Sequence, residues 1–241
     1  MNAISRLSLL TASFVLLPLM GHSQLNMTFD EGTFRPNQRL WGQGVPGATW
    51  QGTSNPAYSV RAGVGVDGSR AVQVSDRNLQ FDAVTLDVTN EALGGEFDPE
   101  SSVVHYSLAV KMEEVSGEGL SARIRLAGQA VQLELYNSGD LYFMDGGDAD
   151  QPHRTVYQAN RNHFVAEKGE FFIIDAEVDY GSKTFRLKVN DVPQQQGNPI
   201  AFRTTGDATG DKVDFWIAAW MQTHEDWRPF VFDNVQARLI D

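Results

Sequence analysis

Four segments of the chain alternate apolar residues with polar or aromatic ones, and the second set has the types best suited to chemistry. That set comprises His105, Arg123, Arg125, Gln132, Glu134, Tyr136, Trp216 and Trp220. A period of two is that of a β-strand, so each set lies on one face of its strand. Aromatic rings stack on the C–H faces of sugars, while guanidinium, amide and carboxylate groups bond hydroxyls in pairs. If the strands share a sheet, this pattern predicts a carbohydrate-binding face on its concave side.

The same pattern fits an outer polar face whose tryptophans are covered by loops 32–57 or 222–229. Alternation does not tell which strands are neighbours, so both interpretations stay open.

A second set of candidates is the carboxylate row Asp175, Glu177 and Asp179, spaced i, i+2, i+4 on one strand face. Two carboxylates flanking a glycosidic bond can hydrolyse it. A hairpin turn at the following glycine–serine pair, however, places Arg186 opposite Glu177 and Lys188 opposite Asp175. This register favours a solvated ladder of opposite charges.

Asp30, Glu31 and Asp233 are candidate metal ligands. They lie near the first and last predicted strands, which are neighbours in many sandwiches. Hard carboxylate and carbonyl oxygens suit Ca²⁺, so the sequence predicts a structural calcium ion there.

The elements that must position these residues are short strands separated by turn residues, with no long amphipathic helix. The clearest segments are Val103 to Met112, Leu120 to Leu126, Val131 to Tyr136, Asp140 to Met144, Phe171 to Tyr180, Thr184 to Val189, Val213 to Met221 and Phe230 to Ile240. Asn90 to Leu93 fits one helical turn. In the last strand, the every-second-residue alternation of apolar side chains shifts by one position partway along, which predicts a β-bulge at Asp233-Asn234.

A second hairpin is predicted around Ser138-Gly139. With these two residues as the turn, Leu133 and Leu135 share a face with Tyr142 and Met144.

The strand, tight turn and strand of Phe171 to Asn190, which ends in Val189-Asn190-Asp191, resemble the concanavalin A-like lectin/glucanase superfamily. The ending Phe232-Asp233-Asn234-Val235 is similar to the last strand of these domains. The resemblance implies an all-β jelly roll, a two-sheet antiparallel β-sandwich. Asp191 departs from the pattern, because glycine is usual there. The superfamily includes lectins, hydrolases, lyases and adhesion modules, so the fold leaves the function open.

Within that resemblance, Arg123, Arg125, Gln132, His105 and Tyr136 are similar in type to the residues that jelly-roll polysaccharide lyases use. There arginine and amide groups neutralise a uronate carboxylate, and histidine or tyrosine moves protons. A degrading enzyme, lyase or hydrolase, is therefore one alternative to binding alone. The other is an adhesion or structural module without a glycan site.

The chain is acidic, with a formal net charge of −12, and has no cysteine. This charge opposes binding to nucleic acid or to strongly anionic polymers unless a local basic patch overrides it. Without disulfides, the fold must be stabilised by the core that a chain of this length can bury.

Residues 1–23 have the pattern of a signal peptide: Arg6, an apolar run, and small residues before Gln24. The run is too short for a membrane span, which needs about 20 apolar residues, and no later segment is apolar enough. We therefore expect a secreted or periplasmic protein whose residues 24–241 form a single domain that binds a glycan or polysaccharide.

Export is tested by N-terminal sequencing of the secreted product. We expect the mature chain to begin near Gln24, because the small residues before it fit signal peptidase. An intact Met1 in a cytoplasmic fraction would contradict this prediction.

Overall fold

A computed structural model describes residues 24–52, 58–74, 82–146, 154–204, 206–219 and 230–240. The predicted signal peptide at residues 1–23 and Trp220 lie outside these ranges. Within them, no helix is long and apolar enough to cross a membrane.

The described elements are seventeen strands, one helical turn and two 3-10 turns. The strands are β1 (Leu25–Met27), β2 (Gly44–Val45), β3 (Ala48–Gly52), β4 (Tyr58–Arg61), β5 (Ala71–Val74), β6 (Asp82–Val88), β7 (Val103–Met112), β8 (Leu120–Leu126), β9 (Val131–Tyr136), β10 (Leu141–Phe143), β11 (Arg154–Thr155), β12 (Phe171–Asp179), β13 (Thr184–Val189), β14 (Val192–Pro193), β15 (Ile200–Ala201), β16 (Asp214–Ala219) and β17 (Phe230–Ile240). The helical turn α1 covers Asn90–Leu93, as predicted, and the 3-10 turns cover Val66–Gly68 and Gln194–Gly197.

Two antiparallel sheets pack face to face. The first has the order β14-β13-β12-β7-β17-β5-β4, with β1 paired to β17 and β15 to β13. The second has the order β11-β10-β9-β8-β16-β6-β3-β2. The architecture is the two-sheet antiparallel β-sandwich of a jelly roll, as the sequence predicts. The strands β7, β8, β9, β13 and β17 have the bounds that alternation gives.

Aromatic rings from both sheets meet in the core between them. Tyr106 of β7 packs edge to face on Phe215 of β16, with 5.2 Å between ring centres. Trp50 of β3 contacts Phe232 of β17 at 5.4 Å. All four side chains are almost completely buried. Truncating such a ring costs about 3–5 kcal/mol, so these contacts contribute strongly to holding the two layers together.

The β12–β13 hairpin has the predicted register. Glu177 lies opposite Arg186 and Asp175 opposite Lys188, and Glu177 forms an ion pair with Arg186 at 3.1 Å. The apolar residues of both strands therefore face the core, and the opposite charges face outward.

The predicted register of the β9–β10 hairpin is wrong by one residue. Leu141 pairs with Leu135, so the loop comprises residues 137–139 and not a two-residue turn. The side chain of Asn137 is buried and its amide donates to the Glu118 carbonyl at 2.9 Å, which fixes the extra loop residue. Because a slip of one residue reverses the faces, Tyr142 lies on the outer face.

The predicted β-bulge in β17 is confirmed. Its pairing with β7 shifts between Asp233 and Gln236, and Asn234 adopts φ +50°. The extra residue lets Phe232 and Val235, three positions apart, both face the core.

A cross-strand arginine–glutamate pair lies on the outer face of each sheet, and the two differ in burial. The Glu177–Arg186 pair is about half exposed. In the Arg123–Glu134 pair of β8 and β9, Arg123 Nη2 lies 2.6 Å from a carboxylate that is only 3% exposed. Water screens the first pair more strongly than the second, so removing one partner of the second pair costs more stability.

Replacing each glutamate by glutamine tests this difference. Glu134→Gln should lower the free energy of unfolding by about 1–3 kcal/mol, because buried donors lose their charged acceptor. The matched Glu177→Gln change should cost less than about 1 kcal/mol. Equal denaturant midpoints for the two variants would contradict this ranking of the pairs.

Candidate functional site

The outer face of the second sheet brings together most of the described residues that alternation selected. Arg123 lies directly opposite Glu134, and Arg125 lies opposite Gln132, in the β8–β9 pair. On the other side of β8, Trp216 of β16 pairs with Arg125. The three strands are neighbours in one sheet, which is what a shared face requires.

Glu134 is the centre of a hydrogen-bond network on this face. Its Oε1 accepts from Arg123 Nε at 2.8 Å and from Gln132 Nε2 at 3.0 Å. Its Oε2 accepts from the Tyr136 hydroxyl at 3.2 Å. The carboxylate is almost fully buried, so the network holds the three donors in fixed positions.

Gln132 links a second arginine, Arg125, to a third, Arg203, which follows β15. The Gln132 Oε1 accepts from Arg125 Nε at 2.7 Å and from Arg203 Nη1 at 3.1 Å. Arg203 is held by its backbone N–H, which donates to the Ala130 carbonyl at 2.8 Å. Arg125 also donates to the Gln129 side chain.

The turn between β8 and β9 places Gln129 for this contact. Gln129 and the preceding Gly128 both have positive φ. A Cβ on Gly128 would overlap Thr209 Oγ1 and lie 2.9 Å from the Gly210 nitrogen. Only glycine fits there, so the turn conformation is fixed by close approach of the backbone.

Counted over the described residues, positive charge exceeds negative charge in this cluster. Arg125 and Arg203 are each 8% exposed and, among the described residues, neither forms a salt bridge. Burial lowers the pKa of Arg125 to about 10, and the charges of Arg203 and Arg123 add to the effect. Glu134 and the exposed Asp207 oppose it. Within the described ranges, three guanidinium groups thus lie near two carboxylates, those of Glu134 and Asp207.

Aromatic rings border the arginines on both sides. The Arg125 guanidinium lies over the Trp216 ring, 4.6 Å from its centre. At the other end, Tyr136 and Tyr142 pack edge to face at 5.3 Å, and Tyr142 continues to His163 at 5.9 Å. Burial and the Glu134 carboxylate raise the pKa of Tyr136.

Sequence reasoning missed Arg203 and Tyr142 as members of this face. The predicted two-residue turn places Tyr142 on the same face as Leu133 and Leu135, which is the core face, because it is one residue shorter than the actual loop. Arg203 lies in a loop without alternation, so no local signal pointed to it. Trp220, which was selected, lies outside the described residues.

His105 does not belong with the arginines. It lies on β7, opposite Glu177 of β12, on the outer face of the first sheet. Its Nε2 lies 3.3 Å from Asp175 Oδ1. Alternation correctly turned His105 outward but could not tell that its strand belongs to the other sheet. The core of the sandwich separates it from Arg123.

The carboxylate row of β12 likewise has partners within the first sheet. Asp175 contacts His105, and Glu177 is paired with Arg186. Asp179 Oδ1 accepts from the Ser182 backbone N–H at 2.9 Å in the hairpin turn. These contacts fit the charged-ladder interpretation of the row.

Of the predicted calcium ligands, Asp233 lies in the β17 bulge, and Asp30 is close enough for its charge to act on it. Asp233 is fully buried, and its Oδ2 accepts from Val66 N at 2.9 Å and Ser69 Oγ at 3.1 Å. Asp30 is exposed and accepts from Arg70 N at 2.9 Å, and Glu31 is exposed as well. Among the described residues, no cluster of three or more histidine, cysteine, aspartate or glutamate side chains could hold a metal ion.

Solved structures share this fold. The catalytic domain of the glycoside hydrolase family 131 protein from Coprinopsis cinerea aligns with a TM-score of 0.52 and 14% identity, covering 88% of this chain and 94% of that one. A sialidase aligns with a TM-score of 0.50 and 11% identity over 78% of this chain, which spans 16% of the sialidase. A receptor-binding domain aligns with a TM-score of 0.50 and 9% identity, covering 91% and 49%.

No sequence family model and no curated protein sequence matches the chain. At these identities, the structural neighbours establish the jelly-roll fold alone.

Proposed function

We propose that this protein binds an acidic polysaccharide on the outer face of the second sheet. The observation that carries the proposal is the excess of guanidinium groups: Arg123, Arg125 and Arg203 lie together, and Glu134 is the buried carboxylate that the described part of the chain places among them. The chain as a whole has a net charge of −12. The cluster is therefore a local basic patch in an acidic protein.

Burying a guanidinium group without a carboxylate partner is costly. Arg125 and Arg203 donate to amide and carbonyl oxygens, which support the charge less than a carboxylate does. The carboxylate of a uronate unit, or a sulfate ester, would supply the missing negative charge. A guanidinium fork matches either group in a bidentate pair.

The rings beside the arginines suit the remainder of a sugar chain. Trp216 and Tyr136 are partly exposed, and such rings stack on the C–H faces of sugars. Gln132 and Glu134 are already bonded to the arginines, so their role is to hold the guanidinium groups in place. Charge selects the ligand, and the rings orient it.

Binding fits this face better than lyase catalysis does. A lyase needs a group that accepts a proton near neutral pH. Tyr136 donates to Glu134, and its raised pKa keeps it protonated. His105 lies on the other sheet, and His163 lies at the tyrosine end of this face, beside Tyr142, and not among the arginines. An extracellular polysaccharide is also the ligand that the predicted export of the chain would bring within reach.

Arg125→Met tests the proposed function. The affinity for an acidic polymer such as pectate should fall at least about tenfold, or 1.4 kcal/mol, because a central positive charge is lost. The free energy of unfolding should change by less than about 1 kcal/mol or rise, since an apolar residue of similar length replaces a buried charge. Affinity electrophoresis and denaturant titration measure the two quantities.

The matched control is Arg186→Met, which removes an exposed arginine from the outer face of the first sheet and should leave retention unchanged. Fully methyl-esterified pectin serves as the neutral ligand and should bind weakly. Equal retention of the esterified and free polymers, or full retention by Arg125→Met, would refute the proposal. If the wild type binds neither, the adhesion or structural alternative stands, and release of reducing ends would indicate a degrading enzyme.

A structural calcium ion beside Asp30, Glu31 and Asp233 is a separate proposal. Burial raises the pKa of Asp233, and the nearby charge of Asp30 adds to the rise. A bound cation would relieve both effects, and the oxygen ligands are of the kind that Ca²⁺ prefers.

The calcium proposal is tested by melting the protein in excess chelator. An ion that binds only the folded state stabilises it, so the melting temperature should fall and should recover with added Ca²⁺. Asp233→Ala should remove this sensitivity. An unchanged melting curve for the wild type would leave the three carboxylates as ordinary structural and surface groups.

A further inference from the structure

A cleft of about 640 Å³ opens at the edge of the sandwich where β11 of the second sheet approaches β14 of the first. One wall comes from the β10–β11 edge and the loop after it, and the other from β14 and the 3-10 turn that follows. The polar and aromatic lining residues used below are Arg154, Thr155, Tyr157, Arg161, Gln195 and Gln196. The volume is within the range of ligand-binding pockets.

The two walls are tied together by a buried glutamine. The Gln194 side chain, 1% exposed, accepts from the Tyr157 backbone N–H at 2.9 Å and donates to the Tyr157 carbonyl at 3.0 Å. The loop is closed by Gln158 N–H, which donates to the Asn162 carbonyl at 2.8 Å. The cleft is therefore pre-formed, which reduces the entropy lost on binding.

The side chains in the cleft have the chemistry of saccharide recognition. Tyr157 is an aromatic side chain that is half exposed. Arg161 contributes positive charge, whereas Arg154 Nε forms an ion pair with Asp145 Oδ2 at 3.2 Å beside the cleft. No described residue that lines the cleft is itself an aspartate or glutamate. Gln195 and Gln196 adopt left-handed φ values of +48° and +58°, which glycine would take without strain. Strained polar residues of this kind concentrate at ligand sites.

A row of cross-strand residue pairs links the cleft to the arginine face. Thr155 lines the cleft and pairs with Tyr142 across the β10–β11 ladder. Tyr142 pairs with Glu134, and Glu134 pairs with Arg123. This row crosses four adjacent strands, a distance of about 14 Å at roughly 4.8 Å per strand. The row is longer than one sugar ring, so a ligand that spans it has several units.

We propose that this edge cleft is a second subsite for the same acidic polysaccharide, which crosses the row from the arginines to Tyr157. The inference rests on the proposed function, because it extends the same ligand beyond the arginine face. The Tyr157 ring stacks on a distal sugar unit, and Arg161 binds its carboxylate, while Arg154 stays paired with Asp145. Affinity then depends on chain length.

The experiment is calorimetric titration with oligogalacturonates of two to eight units. Affinity for the wild type should rise with length and level off once both subsites are filled. Tyr157→Ala should lower the affinity for the octamer about tenfold, by analogy with the aromatic rings on which the bases of single-stranded nucleic acids stack. The affinity for the dimer should be unchanged. Arg161→Gln is a second variant and should act in the same direction.

Ile173→Ala is the control, because it removes an exposed apolar side chain from the outer face of the first sheet. A melting curve for each variant verifies folding. Because the Tyr157 ring is half exposed, its truncation should not unfold the protein. Octamer affinities equal to wild type in both cleft variants, with dimer binding retained, would overturn the subsite and leave the arginine site intact. Absence of binding by the wild type at every length would overturn both proposals.

Discussion

Each strand of this sandwich must turn one row of side chains into the core, and this requirement fixes how neighbouring strands pair. Because side chains alternate with a period of two, a slip of one residue would expose the whole apolar row. The β9–β10 hairpin illustrates the consequence: its three-residue loop turns Leu141 and Phe143 inward. The same step moves Tyr142 outward beside Tyr136. The outer face is thus a product of core packing.

On that outer face, electrostatics and burial oppose each other. Glu134 compensates Arg123 directly, whereas Arg125 and Arg203 are buried with amide and carbonyl acceptors. The lowered pKa of both arginines reflects this cost of desolvation. The apolar contacts between the sheets, such as that of Trp50 with Phe232, contribute stability that offsets the desolvation cost of the two arginines. An arrangement that costs stability in the free protein is typical of sites that gain it back on binding.

The distribution of charge also limits what can bind. The net charge of −12 repels polyanions over most of the surface. The arginine face and the edge cleft are positive exceptions, joined through the Tyr142–Thr155 pair. By the same reasoning, we expect an acidic chain to be attracted to this row more strongly than to the acidic remainder of the described surface. The outer face of the first sheet differs, because His105 and Arg186 there are matched with Asp175 and Glu177.

The sequence by itself determined the all-β class, the bounds of β7, β8, β9, β13 and β17, the β12–β13 register and the bulge at Asp233-Asn234. These features depend on local signals: alternation, turn residues and matched cross-strand charges. It also selected Arg123, Arg125, Gln132, Glu134 and Tyr136 as outward-facing positions, because the alternation of apolar and polar residues along one strand is enough to tell its two faces apart.

Only the tertiary structure decided which outward residues meet. Strand order depends on pairing between segments far apart in the chain, and no local pattern encodes it. The sequence therefore groups His105 with residues that lie on the other side of the core. It also places Tyr142 on the wrong face, because the β9–β10 loop is one residue longer than the predicted two-residue turn. Arg203 and the cleft at Tyr157 lie in loops whose positions are set by contacts with residues far away in the chain, Ala130 and Gln194 among them. Long-range packing, which is a property of the whole chain, assembled the site.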